Sequence, residues 1–137
     1  MLGRLPPFFR FAIVGTLGLA VDLAVLWTAI HVLGLGPYAG RGLSFAVAVT
    51  FTWALNRHLT FGDKRATDAP GMAKEWGRFV AANSIGLAVN YAVYAALIQW
   101  AGGLLANPMV AAGCGAIAGL AFNYTASSRL VFKTPPA

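Results

Sequence analysis

Acidic residues are scarce in this sequence: the 137-residue chain holds four Asp and Glu against ten Lys and Arg. Only 10% of the residues are charged, whereas 58% are hydrophobic. A water-soluble domain of this length needs more charged surface, because much of its area faces water. The shortage of charge therefore excludes an ordinary soluble domain and indicates a membrane protein.

Cysteine is also scarce, and because Cys114 is the only one, an internal disulfide is excluded. The sequence has no His and Cys cluster with metal-ligand spacing, no nucleotide fingerprint, and no nucleophile beside a candidate base. We therefore predict that the chain is not an enzyme and uses no metal or cofactor. The net charge of +6 does not indicate a nucleic-acid partner in so apolar a chain, because the position of the charges matters more than their sum.

Four apolar segments are present, over about 11–33, 39–55, 79–101 and 109–126. A spanning helix needs about 20 residues, and the first segment is too long for the apolar core of a cleaved signal peptide. Glycine and proline separate the segments within each pair, as in turns between helices. The sequence predicts an all-α membrane protein, a single domain over 1–137 with four transmembrane helices and a polar loop over about 57–77.

The basic residues predict the orientation. Nine of the ten Lys and Arg precede the first helix, surround the central loop or follow the fourth helix: Arg4, Arg10, Arg57, Lys64, Arg65, Lys74, Arg78, Arg129 and Lys133. The short connections within the pairs contribute only Arg41. By the positive-inside rule, both termini and the central loop are predicted to be cytoplasmic.

An internal repeat relates the two helix pairs. The stretch RFAIVGTLGLAVDL at 10–23 returns as RFVAANSIGLAVNY at 78–91, with six identities in fourteen positions. The second halves also correspond, with Phe51, Leu59 and Phe61 matching Phe122, Leu130 and Phe132. We predict two tandem, parallel repeats, one over about 8–61 and the other over 78–132, with a cavity at their interface as the expected substrate site.

These motifs resemble the GtrA-like family of small four-helix membrane proteins. The resemblance lies in Arg10-Phe11 with Gly15 and Gly18, NRHLTF at 56–61, the second Arg78-Phe79, and NYTASSRLVF at 123–132. It implies a bacterial inner-membrane flippase that moves a polyprenyl-phosphate-linked sugar to the outer leaflet for cell-surface polysaccharide modification. The alternative is a non-transporting anchor for a polyprenyl-phosphate glycosyltransferase, docked through residues 62–77.

A small multidrug-type exporter is a third alternative, since such proteins also have four helices and an acid in the first. The nine-to-one distribution of basic residues argues against it, because it predicts a fixed topology. Four short helices enclose little space for a sugar, so a homodimer is expected. The other expected partners are the sugar lipid itself and membrane lipids.

Arginine suits a lipid phosphate because its charge is fixed and its donors are forked. The candidate phosphate or headgroup contacts at the cytoplasmic ends are Arg10, Arg78, Arg57, His58, Arg129 and Asn56. Arg41, near the far end of the second helix, is the candidate for the phosphate in the outer leaflet. Simple topology anchoring explains any one of these arginines equally well.

Polar residues inside the spans are candidates for the sugar path. Asp22 lies twelve residues beyond Arg10, about 18 Å along a helix, and so close to the middle of a bilayer core of about 30 Å. A carboxylate there indicates a contact to sugar hydroxyls, a proton-coupling role, or a structural hydrogen bond, for example to Asn90. Asn90, Asn83 and Asn123 complete the candidate set, and Gly115 with Gly119 predicts a close helix contact.

Overall fold

The computed structural model describes residues 2–132, apart from the side chains of residues 37, 38, 108 and 109. It contains four α-helices, which are α1 (Pro7–His31), α2 (Pro37–Leu59), α3 (Ala69–Trp100) and α4 (Pro108–Ala126). Short helical turns lie at Leu2–Arg4, Gly62–Lys64, Gly103–Ala106 and Ser127–Val131. The described residues contain no strand, so the predicted all-α class with four helices is confirmed. The predicted cytoplasmic Lys133 lies outside the described residues.

The helices are longer than the apolar segments that predicted them. α3 begins at Ala69 instead of about 79, and α2 continues to Leu59 instead of about 55. The loop predicted over 57–77 was therefore too long, because helix occupies both of its ends. Hydropathy marks only the part of a helix that suits hydrocarbon, whereas Arg, Lys and Glu continue a helix into water at little cost.

Glycine forms the turn inside each helix pair. Gly34 follows α1 with φ +68°, and Gly103 follows α3 with φ +60°. Side chains disfavour this left-handed conformation, whereas glycine adopts it freely. α2 and α4 then begin at Pro37 and Pro108. Proline has no backbone N–H, and at the first position of a helix that group would have no intrahelical partner.

The described chain divides into two compact units, residues 2–76 and 77–132. In the first unit α1 and α2 pack as an antiparallel pair. Phe11 and Phe61 meet edge to face at one end, with ring centroids 6.2 Å apart. Farther along, Gly18 lies against Thr52, where a Cβ on the glycine would overlap the threonine methyl group. Small residues therefore allow the two backbones to approach closely.

The second unit pairs most of α3 with α4, also antiparallel. Phe79 and Phe132 meet edge to face with centroids 6.2 Å apart. Gly86 lies against the Asn123 amide. About one helical turn farther along the pair, Gly115 lies against Asn90. The predicted close contact at Gly115 is thus present.

Large apolar side chains are exposed along α1 and α3, among them Leu19, Leu23, Trp27, Ile85 and Tyr91. Exposed apolar surface of this extent suits lipid better than water. Of the described helices, α1 and α3 are long and apolar enough to cross a membrane, with mean hydropathies of 2.0 and 1.4 over their most apolar windows. Composition alone therefore supports two of the four predicted spans.

Candidate functional site

An ion pair lies between α1 and α2 in the first unit. Arg41 Nη1 lies 2.5 Å from Asp22 Oδ2, and the two side chains are 50% and 13% exposed. The same nitrogen also donates to the hydroxyl of buried Ser44 at 3.3 Å. Charge inside an apolar helix pair is costly, so it points to function. The sequence predicted separate roles for Asp22 and Arg41, and the structure joins them.

The second carboxylate oxygen of Asp22 is unsatisfied. Asp22 Oδ1 is buried and has no hydrogen-bond partner within the described residues. A carboxylate oxygen accepts up to two hydrogen bonds, and leaving a buried one without any costs free energy. Asp22 therefore has unused acceptor capacity inside the helix pair.

An apolar groove of about 200 Å³ lies between α1 and α2 in the first unit. Its lining residues are Ala24, Val25, Thr28, Ala29, Leu33 and Leu43. Asp22 and Arg41 do not line this groove, and Ala24 and Leu43, each two residues farther along a helix, lie on faces that point away from them. The one hydroxyl in the lining, that of Thr28, already donates to the Ala24 carbonyl. The groove therefore offers hydrocarbon contacts only.

Arg10 lies at the opposite end of the first unit and connects its two helices. Its Nη1 donates to the Leu59 carbonyl at 2.7 Å, and its Nε donates to the Leu5 carbonyl at 3.0 Å. Leu59 is the last residue of α2, where carbonyls lack intrahelical partners and a cation is favoured. Arg10 therefore caps α2, which gives it a structural role besides the predicted phosphate contact.

A buried carboxylate, Glu75, holds the start of α3 against α2. Its Oε1 accepts hydrogen bonds from Arg57 Nη1 at 2.8 Å and Trp53 Nε1 at 3.1 Å, and its Oε2 accepts one from the Ala66 amide at 2.8 Å. Arg57 also donates to the Ala66 carbonyl and lies over the Trp53 ring. Glu75 and Arg57 are only 3% and 8% exposed. We call Trp53, Arg57, Ala66 and Glu75 the Glu75 cluster.

The Glu75 cluster changes the role expected for Arg57. A buried guanidinium whose charge is compensated by Glu75 is not presented to a lipid, so we leave Arg57 out of the phosphate-contacting set. Sequence reasoning missed Glu75 altogether. It is one of three acids in a basic segment, with Asp63 and Asp68, so its charge does not single it out. Its partners lie nine to twenty-two residues away, where no helical periodicity relates them.

Asn56 and His58 make local contacts near the end of α2. The Asn56 side chain is 1% exposed and accepts a hydrogen bond from the Thr60 hydroxyl, so it packs inside the unit and does not face a headgroup. His58 is exposed, and its Nδ1 contacts Arg65. Because a guanidinium can only donate, Nδ1 is the acceptor in this pair.

Two asparagines lie in the contact between α3 and α4 in the second unit. Asn90 lies against Gly115, and Asn123 lies against Gly86. Asn123 Oδ1 is buried and without a hydrogen-bond partner in the described part of the chain. Asn83 donates to the Phe79 carbonyl one turn earlier, at 2.9 Å. The second unit therefore carries amides along one helix contact.

Arg78 and Arg129 are exposed in the second unit, and neither has a polar partner within residues 2–132. Arg78 corresponds to Arg10 in the sequence repeat, but it does not cap a carbonyl as Arg10 does. Of the predicted phosphate contacts, Arg78 and Arg129 are therefore the ones whose donors are most available.

This difference predicts that the two arginines contribute unequally to stability. Replacing Arg10 with Gln should lower the free energy of unfolding by about 1.5–3 kcal/mol, because charge-assisted bonds to two carbonyls are lost. Replacing Arg78 with Gln should change it by less than about 0.5 kcal/mol, as for other surface positions. Unfolding in detergent, followed by tryptophan fluorescence, measures both. Equal losses in the two variants would contradict the distinction.

A comparison with known protein families gives a match to this chain. The sequence model of the family described as "GtrA/DPMS, transmembrane domain" matches residues 10–132. The matched residues contain both units and every candidate position named above. A search of curated proteins finds no match to this chain.

Proposed function

Because the chain belongs to the GtrA/DPMS transmembrane-domain family, which associates it with membranes and with polyprenyl-phosphate sugars, we propose that it is a flippase. It moves a polyprenyl-phosphate-linked sugar from the cytoplasmic to the outer leaflet of the bacterial inner membrane, for modification of cell-surface polysaccharide. The observation that carries this proposal is the Asp22–Arg41 pair. A passive anchor has no need of charges within its helices, whereas a carrier of a polar, anionic cargo does.

In this proposal the sugar lipid first binds at the cytoplasmic side of the second unit. Arg78 and Arg129 contact its phosphate, since both are exposed and have no polar partner in the described residues. Arg10 and His58 are the remaining candidates for such contacts, and both belong to the first unit. The chain acts as a carrier and not as an enzyme, and it needs no cofactor.

The sugar then moves past polar side chains whose hydrogen bonds replace those that its hydroxyls made to water. Asn83, Asn90 and Asn123 supply amides in the second unit, and Asp22 supplies the unsatisfied Oδ1 in the first. Amides and carboxylates hydrogen-bond sugar hydroxyls, which would otherwise be costly to bury. Asp22 also offers the one ionisable acid of the spans for proton coupling.

We further propose that the two units are tandem repeats with both termini in the cytoplasm. Phe11–Phe61 in the first and Phe79–Phe132 in the second have interplanar angles of 64° and 65°. The last phenylalanine of each pair donates its backbone N–H to the carbonyl five residues earlier, at 2.9 Å in both units. This similarity of contacts supports duplication, and the distribution of basic residues supports the orientation.

The proposed assembly is a homodimer, because two copies enclose more space for a sugar than one. A polyprenyl-phosphate glycosyltransferase is the proposed protein partner, since it would deliver the lipid at the cytoplasmic face. The Glu75 cluster favours a second candidate function, in which the chain only anchors that enzyme. It holds residue 66 and the start of α3 to α2, so the cytoplasmic segment has a defined shape for docking.

Flipping in proteoliposomes tests the proposal. A fluorescent polyprenyl-phosphate sugar is incorporated, and a membrane-impermeant reductant measures the rate at which it changes leaflet. The R78Q/R129Q double variant should flip at least about tenfold more slowly, equivalent to about 1.4 kcal/mol. Lys64 and Lys74 are exposed but not retained in the repeat, so K64Q/K74Q, which loses the same charge, should flip as the wild type does.

Three outcomes discriminate among the candidates. No flipping by the wild type, together with binding of the glycosyltransferase, would support the anchor. Export of hydrophobic cations without flipping of the sugar lipid would support the multidrug-type exporter. Equal slowing by the two double variants would contradict the roles of Arg78 and Arg129, because general surface charge would then explain the effect.

A further inference from the structure

Two stacked rings border the apolar groove of the first unit. On α1, Ala24 and Thr28 line the groove. Trp27 and His31 stack beside them, with ring centroids 5.1 Å apart and planes at 20°. Residues three or four apart share a helix face, so Trp27 lies beside Ala24 and His31 lies beside Thr28. His31 is the last residue of α1, so the rings border the groove near the end of that helix.

The two rings leave one donor and one acceptor available. His31 Nδ1 lies 3.0 Å from the Trp27 carbonyl oxygen, which can only accept, so Nδ1 carries a proton and Nε2 of the neutral ring is left as an acceptor. The Trp27 ring is 59% exposed, and its Nε1 can only donate. Neither Nε1 of Trp27 nor Nε2 of His31 has a polar partner within residues 2–132.

The groove and its border lack fixed charge. The described residues that form them include no Asp, Glu, Lys or Arg. Asp22 and Arg41 lie on faces of α1 and α2 that point away from Ala24 and Leu43. An anionic headgroup would therefore find no cation here, whereas a zwitterionic headgroup brings its own compensating charge and both kinds of hydrogen-bonding group.

We propose that the groove and the two rings bind a zwitterionic phospholipid whose headgroup ends in a primary ammonium, such as phosphatidylethanolamine. Part of one acyl chain fills the groove, since an unfilled groove forfeits dispersion contacts. Trp27 Nε1 donates to a phosphate oxygen of the headgroup, and the ammonium donates to His31 Nε2. Two carbons separate the ammonium from the phosphate ester oxygen, a short reach that suits two rings 5.1 Å apart.

This site differs from the general preference of tryptophan for the membrane interface, which does not depend on one headgroup. His31 Nε2 requires an N–H from the lipid. Phosphatidylcholine carries the same phosphate and the same positive charge, but its quaternary nitrogen has no hydrogen to donate. The site should therefore discriminate between two lipids that have equal charge and identical chains.

Lipid binding to the purified full-length chain in a neutral detergent tests the site, with native mass spectrometry as the readout. The probes are phosphatidylethanolamine, phosphatidylcholine and phosphatidylglycerol with identical acyl chains. The wild type should bind the first about tenfold more tightly than the other two. H31F keeps a ring but loses the acceptor, so it should bind phosphatidylethanolamine and phosphatidylcholine equally. H31Q, whose amide oxygen accepts, should retain a preference for phosphatidylethanolamine.

Three further variants separate the headgroup from the chain. W27F should weaken phosphatidylethanolamine and phosphatidylcholine alike, by about fivefold, because both have the phosphate. A24L fills the groove and should weaken all three lipids by about tenfold. A92L adds the same bulk at the exposed position of α3 that corresponds to Ala24 in the sequence repeat, and it should bind lipids as the wild type does. Far-UV circular dichroism checks that each variant is folded.

Every other occupant of the groove gives a different result. Equal binding of phosphatidylethanolamine and phosphatidylcholine by the wild type would contradict the His31 contact, and unchanged binding in A24L would contradict the groove. Loss of a dimer in A24L, with lipid binding unchanged, would assign the groove to a second copy of the chain. Displacement of phosphatidylethanolamine by an equal amount of farnesyl phosphate would assign it to the sugar lipid. None of these results depends on whether the chain flips a lipid.

Discussion

Replacing Glu75 with Gln is expected to lower the free energy of unfolding by about 3–5 kcal/mol, the largest effect of any single change considered for this chain. All three groups that contact the Glu75 carboxylate are donors: Trp53 Nε1, Arg57 Nη1 and the Ala66 amide. The amide of glutamine has one acceptor oxygen and one donor nitrogen, so either orientation sets N–H against N–H. Arg57 would also remain buried without its compensating charge.

The matched control is D63N, which removes the same charge from an exposed residue of the same segment and should change the unfolding free energy by less than about 0.5 kcal/mol. R57M/E75Q completes a double-mutant cycle, and the double variant should lose at least about 1 kcal/mol less than the sum of the singles. Additive losses would mean that the pair does not act as a unit. Unfolding in detergent, followed by tryptophan fluorescence, reports all four variants.

Replacing Gly115 with Ala should also destabilise the chain, because it forces two helices apart. A Cβ at this position would lie 2.5 Å from the backbone carbonyl oxygen of Asn90 and 2.7 Å from its side-chain oxygen. The carbonyl cannot move unless α3 moves, so the helices must separate. We expect a loss of about 1–3 kcal/mol, as for overpacked cores, which outweighs the gain of up to about 1 kcal/mol from the better helix propensity of Ala.

Gly113, two residues earlier on the same helix, provides the control. A Cβ there meets nothing within 4 Å, so Gly113→Ala should leave the unfolding free energy unchanged or raise it slightly. The proposed sugar path would also be affected in G115A, because Asn90 would move with its helix. Flipping by G115A at the wild-type rate, with unchanged stability, would contradict the close contact between α3 and α4.

Much of the fold could be predicted because its determinants are local. The number of helices and the all-α class follow from apolar runs separated by glycine and proline. The helix ends were less predictable, since a helix that leaves the hydrocarbon continues in water, as α3 does between Ala69 and Arg78. Hydropathy carries no signal for that continuation.

The candidate site was predictable in its residues but not in their partners. Asp22 and Arg41 were both recognised as charges within or beside the spans, yet Asn90 was the partner suggested for Asp22. Asp22 and Arg41 are nineteen positions apart with a turn between them, so helical periodicity does not relate the two. Arg10 and Arg78 look equivalent in the repeat, but only Arg10 donates to a helix-terminal carbonyl.

The sequence alone determined that this is a membrane protein with four helices, an asymmetric distribution of basic residues and a repeated motif, because composition and short-range pattern carry that information. The tertiary structure decided that Asp22 neutralises Arg41, that Glu75 neutralises Arg57, and that Arg78 keeps its donors available. Those pairings depend on the register at which antiparallel helices pack. That register is set by contacts such as Gly18 against Thr52 and Gly115 against Asn90, which join residues far apart in the chain.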